Sequence, residues 1–141
     1  MKRRLTLLLL SLITSVAAAA SGLLVDGAWV REAPPGASMM AAYLVISNPT
    51  DRDARLVGVE SPAFAHVMMH KSATVDGMAR MLHQDSIPIP AHASVALEPG
   101  GYHLMMPAPE TPLSAGDQVE FLLHFDDNSS VRVTAVVRKK P

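Results

Sequence analysis

Cysteine is absent from the 141 residues. Its absence excludes a disulfide scaffold, thiolate metal centres, haem attachment through Cys-x-x-Cys-His and lipid attachment at a cysteine. A blue-copper electron-transfer site is excluded as well, because it needs a thiolate ligand. An excess of one charge is also missing. Twelve basic and thirteen acidic residues leave a formal net charge of -1, which provides no electrostatic footprint for nucleic acid. Aromatic residues make up only 4% of the chain. Beyond the first 20 residues no apolar run approaches the roughly 20 residues that a spanning helix requires. No Gly-x-Ser-x-Gly elbow, phosphate loop or dinucleotide fingerprint occurs, and no spacing of Ser, His and Asp suggests a triad, so no catalysis is expected. What the chain does hold, within the length of a single domain, is 9 Met and 6 His.

Lys2, Arg3 and Arg4 precede an apolar stretch from Leu5 to Val16, and small residues follow from Ala17 to Ala20. This is the layout of a secretory signal peptide, with cleavage expected after Ala20. Residues 1–20 are therefore read as a leader and residues 21–141 as one domain that works outside the cytoplasm. Thiols tend to be oxidised in such a compartment, so a soft metal site there does better without cysteine.

Breakers are closely spaced in the remainder: Pro34-Pro35-Gly36, Asn48-Pro49, Ser61-Pro62, Asp76-Gly77, Pro88 and Pro90, Pro99-Gly100-Gly101, Gly116-Asp117 and Asp126-Asp127-Asn128. Between them the predicted strands are 23–30, 41–47, 54–59, 66–70, 78–83, 94–97, 102–106, 118–125 and 131–137. Many short strands with frequent turns predict an all-β sandwich or barrel. The last pair is the cleanest. Val119, Phe121, Leu123 and Phe125 alternate with more polar neighbours, as do Val131, Val133, Ala135 and Val137, which predicts a hairpin with one buried face.

Four of the six histidines, His66, His70, His83 and His92, fall within residues 66–92. His66 and His70 have the spacing of a helical zinc pair, but Val67-Met68-Met69 between them lacks the glutamate of a zinc protease and the context is β-like. Position 66 reads as a surface or packing histidine. The methionines cluster as Met39-Met40, Met68-Met69, Met78, Met81 and Met105-Met106. Methionine commonly fills gaps in cores, and Met39, Met40 and His83, although a place near a site with a role in transfer stays open for them, are read first as packing or surface residues. His103 and Met105 differ: they are two apart in an extended segment just after a glycine turn, so both project to one side near a loop.

One pattern draws these residues together. His70, Met81, His103 and Met105 form His-x10-Met-x21-His-x-Met. With this composition, four prescribed residues at fixed spacing arise by chance in about one such chain in a thousand. The spacing resembles that of the PCuAC family of periplasmic copper chaperones, which serve the CuA site of cytochrome c oxidase. Gly27-Ala28-Trp29-Val30-Arg31, Ala41-Ala42-Tyr43-Leu44, Leu56-Val57-Gly58-Val59 and Glu98-Pro99-Gly100-Gly101-Tyr102-His103-Leu104-Met105 are similar to that family's other landmarks. One departure is Lys71, where the family pattern allows Met. The resemblance implies a cupredoxin-like Greek-key β-sandwich and one Cu(I) per chain, bound by His70, Met81, His103 and Met105. It also implies a monomer whose partners are copper and either the CuA subunit or another copper assembly factor.

The donor chemistry agrees with that expectation. Thioether sulfur is soft and uncharged and imidazole is borderline, so such a set favours Cu(I) over hard cations and over zinc. Two other readings remain open from sequence: a copper buffer or resistance protein without a dedicated recipient, and a structural sandwich whose His and Met are incidental.

Overall fold

The computed structural model describes residues 22–139, so the expected leader at residues 1–20 lies outside the described residues. Ten strands follow in order: β1 (Leu24–Arg31), β2 (Met39–Asn48), β3 (Ala54–Glu60), β4 (Met68–Val75), β5 (Met78–His83), β6 (Ile87–Ile89), β7 (Ala93–Leu97), β8 (Tyr102–Pro107), β9 (Gln118–Phe125) and β10 (Ser130–Arg138). No helix among the described residues is long and apolar enough to cross a membrane.

Alternation along β9 and β10 produces the expected hairpin. Val119, Phe121, Leu123, Phe125, Ala135 and Val137 are buried, while their neighbours along the strand face outward. Asp126–Ser129 makes the turn, with Asn128 at φ 64° and the Asn128 N–H donating to the Phe125 carbonyl.

The strands are hydrogen-bonded in the order β5-β4-β8-β7-β2-β1-β10-β9-β3-β6, and β2 also pairs with β8. Pairing is parallel at β1–β10 and β7–β8 and antiparallel elsewhere. Fully buried side chains come from both halves of this order, among them Leu44, Ile46, Leu104 and Met106 on one side and Leu56, Ile87 and Phe121 on the other. They form one cluster, so the sheet closes over a single core as an all-β sandwich. Phe121 stacks on Phe64 at 6.1 Å between centroids. Each such burial stabilises the fold by about 1.5–3 kcal/mol before the cost of ordering the side chain.

Two sequence expectations need correction. The strand expected to begin at His66 begins at Met68, because the Ser61-Pro62 turn continues inward, with the Phe64 N–H bonded to the Ser61 carbonyl. His66 therefore does not share a strand face with His70. In addition, β6 was not expected, since Pro88 interrupts a three-residue segment. It lies at the end of the strand order, where a missing N–H costs no ladder bond, and Ile87 and Ile89 on either side of Pro88 are fully buried.

The long strand β2 changes partner along its length. Residues Leu44–Asn48 pair with β7, and Met39–Ala42 pair with β8. That change sets the N-terminal end of β2 beside the segment carrying His103 and Met105.

Candidate metal centre

A two-residue turn sets the first register. Asp76 (φ 52°) and Gly77 (φ 75°) are both left-handed, as a type I′ hairpin turn requires, and they join β4 to β5 with Val75 opposite Met78. Following the ladder away from the turn places Ser72 opposite Met81 and His70 opposite His83. On the other side of β4, Met68 is opposite Met105 and His70 opposite His103. Residues opposite one another in an antiparallel pair share a face, and so do alternate residues of one strand. One face of β5-β4-β8 therefore carries His70, Met81, His103 and Met105 together with Met68, Ser72 and His83.

His103 is the inner member, only 3% exposed. Its Nδ1 lies 3.1 Å from the Gly101 carbonyl, which also accepts the Ser72 N–H at 3.0 Å. A carbonyl can only accept, so Nδ1 carries the proton and the Nε2 lone pair is left free. That Nε2 is buried and has no hydrogen-bond partner, and neither does His70 Nδ1. Buried ring nitrogens without partners are costly in a finished fold and call for a ligand. The two rings stand edge to face, 5.8 Å between centroids.

Met81 is the outer member, 60% exposed on a strand that faces solvent along its whole length. Met81, His103 and Met105 line one cleft of about 520 Å³, together with Ser72, Gly100 and Met39. Burial, then the neighbouring charges of His103 and His83, hold the His70 imidazole below its ordinary value of 6.5. It stays neutral, and able to donate a lone pair, further into acid than a free histidine.

Lys71 alternates to the opposite face, where its Nζ lies 4.9 Å from the centre of the Tyr102 ring. The departure from the family pattern therefore leaves the His70 face unchanged. Other histidines lie elsewhere: His92 pairs with Asp51 at 2.7 Å, and His124 lies between Glu60 at 3.1 Å and Ser130 Oγ at 2.8 Å.

Two residues that sequence reading ranked first as packing or surface lie at the site. Met39 was expected to be packing and instead lines the cleft, and His83 stands directly across from His70, 5.8 Å between ring centroids. The Asp76-Gly77 turn was signal enough to find His83, because a two-residue turn fixes every pair along the hairpin.

Among the described residues, no three His, Asp or Glu side chains are gathered as a metal-binding group. With His83 held towards Asp85, the further donors that this face offers beside His70 and His103 include the thioether sulfurs of Met81 and Met105. Two imidazoles with two thioethers suit a soft monovalent ion and suit zinc or calcium poorly.

Comparison with known proteins agrees with this architecture. Residues 23–137 match the family model described as "Putative lipoprotein LpqE-like". A protein of Leifsonia xyli subsp. xyli named "Putative lipoprotein Lxx21020" is 34% identical over 120 residues, covering 84% of this chain and 71% of that protein. The solved copper-bound PCuAC domain from PmoF2 is 25% identical with a TM-score of 0.71, covering 86% of this chain and 97% of the domain. The solution structure of CuI-DR1885 from Deinococcus radiodurans is 29% identical with a TM-score of 0.67, covering 89% and 83%. The cupredoxin-like β fold expected from the sequence is the fold observed. The chain belongs to the LpqE-like family of PCuAC-domain proteins.

Proposed function

We propose that this protein is an exported, periplasmic metallochaperone that carries one Cu(I), bound by His70, Met81, His103 and Met105, and releases it for assembly of the CuA centre of cytochrome c oxidase. Release is to the CuA subunit itself or to another copper assembly factor. The observation that carries this reading is the pair of unpartnered imidazole nitrogens, on His70 and His103, on the same sheet face as two thioethers. Support for copper comes from the copper-bound PCuAC domain of PmoF2 and from CuI-DR1885.

Each residue has a distinct task in this scheme. His103 anchors the ion from within, its tautomer held by the Gly101 carbonyl so that Nε2 is the donor. His70 adds the second nitrogen, and its lowered proton affinity reduces competition from protons. Met105 supplies sulfur from the strand that carries His103. Met81 closes the set from the exposed strand β5, and it is the ligand that an incoming partner reaches first. Thioethers need no deprotonation, and a d10 ion makes no strong geometric demand, so ligands can be exchanged one at a time.

X-ray absorption on the Cu(I)-loaded protein tests the ligand set by counting neighbours. Two sulfurs and two nitrogens are expected, and a shell of nitrogen and oxygen alone overturns the assignment. Loading of a purified CuA domain faster than by free copper tests the recipient, and equal rates favour a buffer without one. N-terminal sequencing of the exported protein tests the leader, with Ser21 expected first.

A further inference from the structure

The donor face holds one more imidazole than the proposed Cu(I) site uses. His83, His70 and His103 form a continuous row across β5, β4 and β8, each opposite the next in register. The row is symmetric about its centre. His70 has both neighbours at 5.8 Å between ring centroids and both at an 82° interplanar angle. His83 belongs to the exposed strand, with its side chain 60% exposed, and its Nε2 lies 3.3 Å from the Asp85 carboxylate. A carboxylate that is itself fully exposed holds the ring weakly, so His83 is free to turn towards His70.

We propose that β5 presents two alternative donors to one ion, Met81 for Cu(I) and His83 for Cu(II), so that the three-histidine row gives the protein a second, divalent copper-binding mode. The chemistry follows from donor hardness. Cu(II) is harder than Cu(I) and prefers nitrogen, so exchanging a thioether for a third imidazole shifts the site towards the divalent ion. Met81 and His83 are two residues apart on one strand and so project to the same side, which lets either reach the His70–His103 pair. Met105 remains available to both modes. No electron transfer is required, since the divalent ion binds as supplied. The inference rests on the ligand face proposed above and adds His83 to it.

The test is titration of the purified chain with Cu(II) alone, read by electron paramagnetic resonance, with imidazole nitrogens counted by pulsed methods. The wild-type chain is expected to bind one Cu(II) with three imidazoles. His83→Ala is expected to bind with two and to lose about tenfold more Cu(II) affinity than Cu(I) affinity. His92→Ala, which removes an exposed histidine far from the row, serves as the control and is expected to leave the spectrum unchanged. Identical Cu(II) spectra and affinities for wild type and His83→Ala overturn the proposal, as does a loss confined to His92→Ala. Cu(I) titration of the wild type, run in parallel under reducing conditions, isolates the chaperone reading. Failure there sinks that reading whatever His83 does.

Discussion

His70 and His103 face each other across β4 and β8 as a register pair, edge to face, with one ring nitrogen of each buried and unpartnered. The proposed thioether donors lie on strands at opposite sides of β4. Met105 comes from within the same strand as His103, and Met81 from the solvent-exposed edge.

Removing a ligand should separate affinity from folding, and differently for the two kinds of ligand. Met81→Leu is expected to cut Cu(I) affinity by about 100-fold, the upper end of what an outer-shell change costs, while shifting stability by no more than about 0.5 kcal/mol. His103→Ala is expected to cut affinity at least as far and also to lower the melting temperature, because it opens a cavity at a residue 3% exposed. Competition with a chromophoric Cu(I) chelator and thermal unfolding measure both. Wild-type affinity in either variant would mean that the residue is not a ligand.

Zinc should bind weakly. Thioethers are poor zinc ligands, and the His83, His70 and His103 rings stand in a row without being gathered at one point, which leaves a tetrahedral zinc site incomplete. Calorimetric titration is the check, and a tight stoichiometric complex would contradict the softness argument.

Acid should act on the copper-free protein through His70. Its folded-state value lies below 6.5, so as pH falls past 6.5 the unfolded chain takes up a proton that the folded chain resists. The apo protein therefore loses stability between 6.5 and the lowered folded value, and this loss levels off below it. An NMR titration of the imidazole should give a midpoint under 6.5. A midpoint at or above 6.5 would show that burial and the flanking histidines do not depress it.

The turn at Asp76-Gly77 should matter for the metal site even though it carries no donor. Gly77→Val places a branched side chain at φ 75°, a conformation that costs roughly 1–2 kcal/mol for a residue with a Cβ. The register that sets Met81 opposite Ser72 weakens with it, so Cu(I) affinity is expected to fall while the core stays intact. Retained affinity together with a normal hairpin by NMR would show that the turn is dispensable for the site.

Legibility from sequence followed the range of the interactions. The β9–β10 hairpin could be read because its alternation and its turn lie within one short window. The pairing of His70 with His83 was equally local and could have been derived from the two-residue turn, but a lone imidazole at the end of β5 invited a reading as incidental surface. The register between β4 and β8 could not be derived this way. It depends on the path of residues 84–101, which form β6 and β7 before returning, and no local rule sets that path. The resemblance of the spacing to the PCuAC pattern stood in for this missing geometry. Pro88 hid β6 for a different reason: proline argues against a strand except at an edge, and edge position is a property of the assembled sheet.

The parallel contact between β1 and β10 has a bearing on when the domain can form. Trp29 meets Val136 and Arg31 meets Arg138, so the opening strand, which pairs with β2 on one side, finds its second neighbour only in the closing strand. A polypeptide threaded N-terminus first through a narrow passage cannot complete this seam until nearly all of it has emerged. Such a long-range closure is also slow, on the order of milliseconds to seconds for all-β chains. Completion of the sheet between β1 and β9 therefore waits for the last strand.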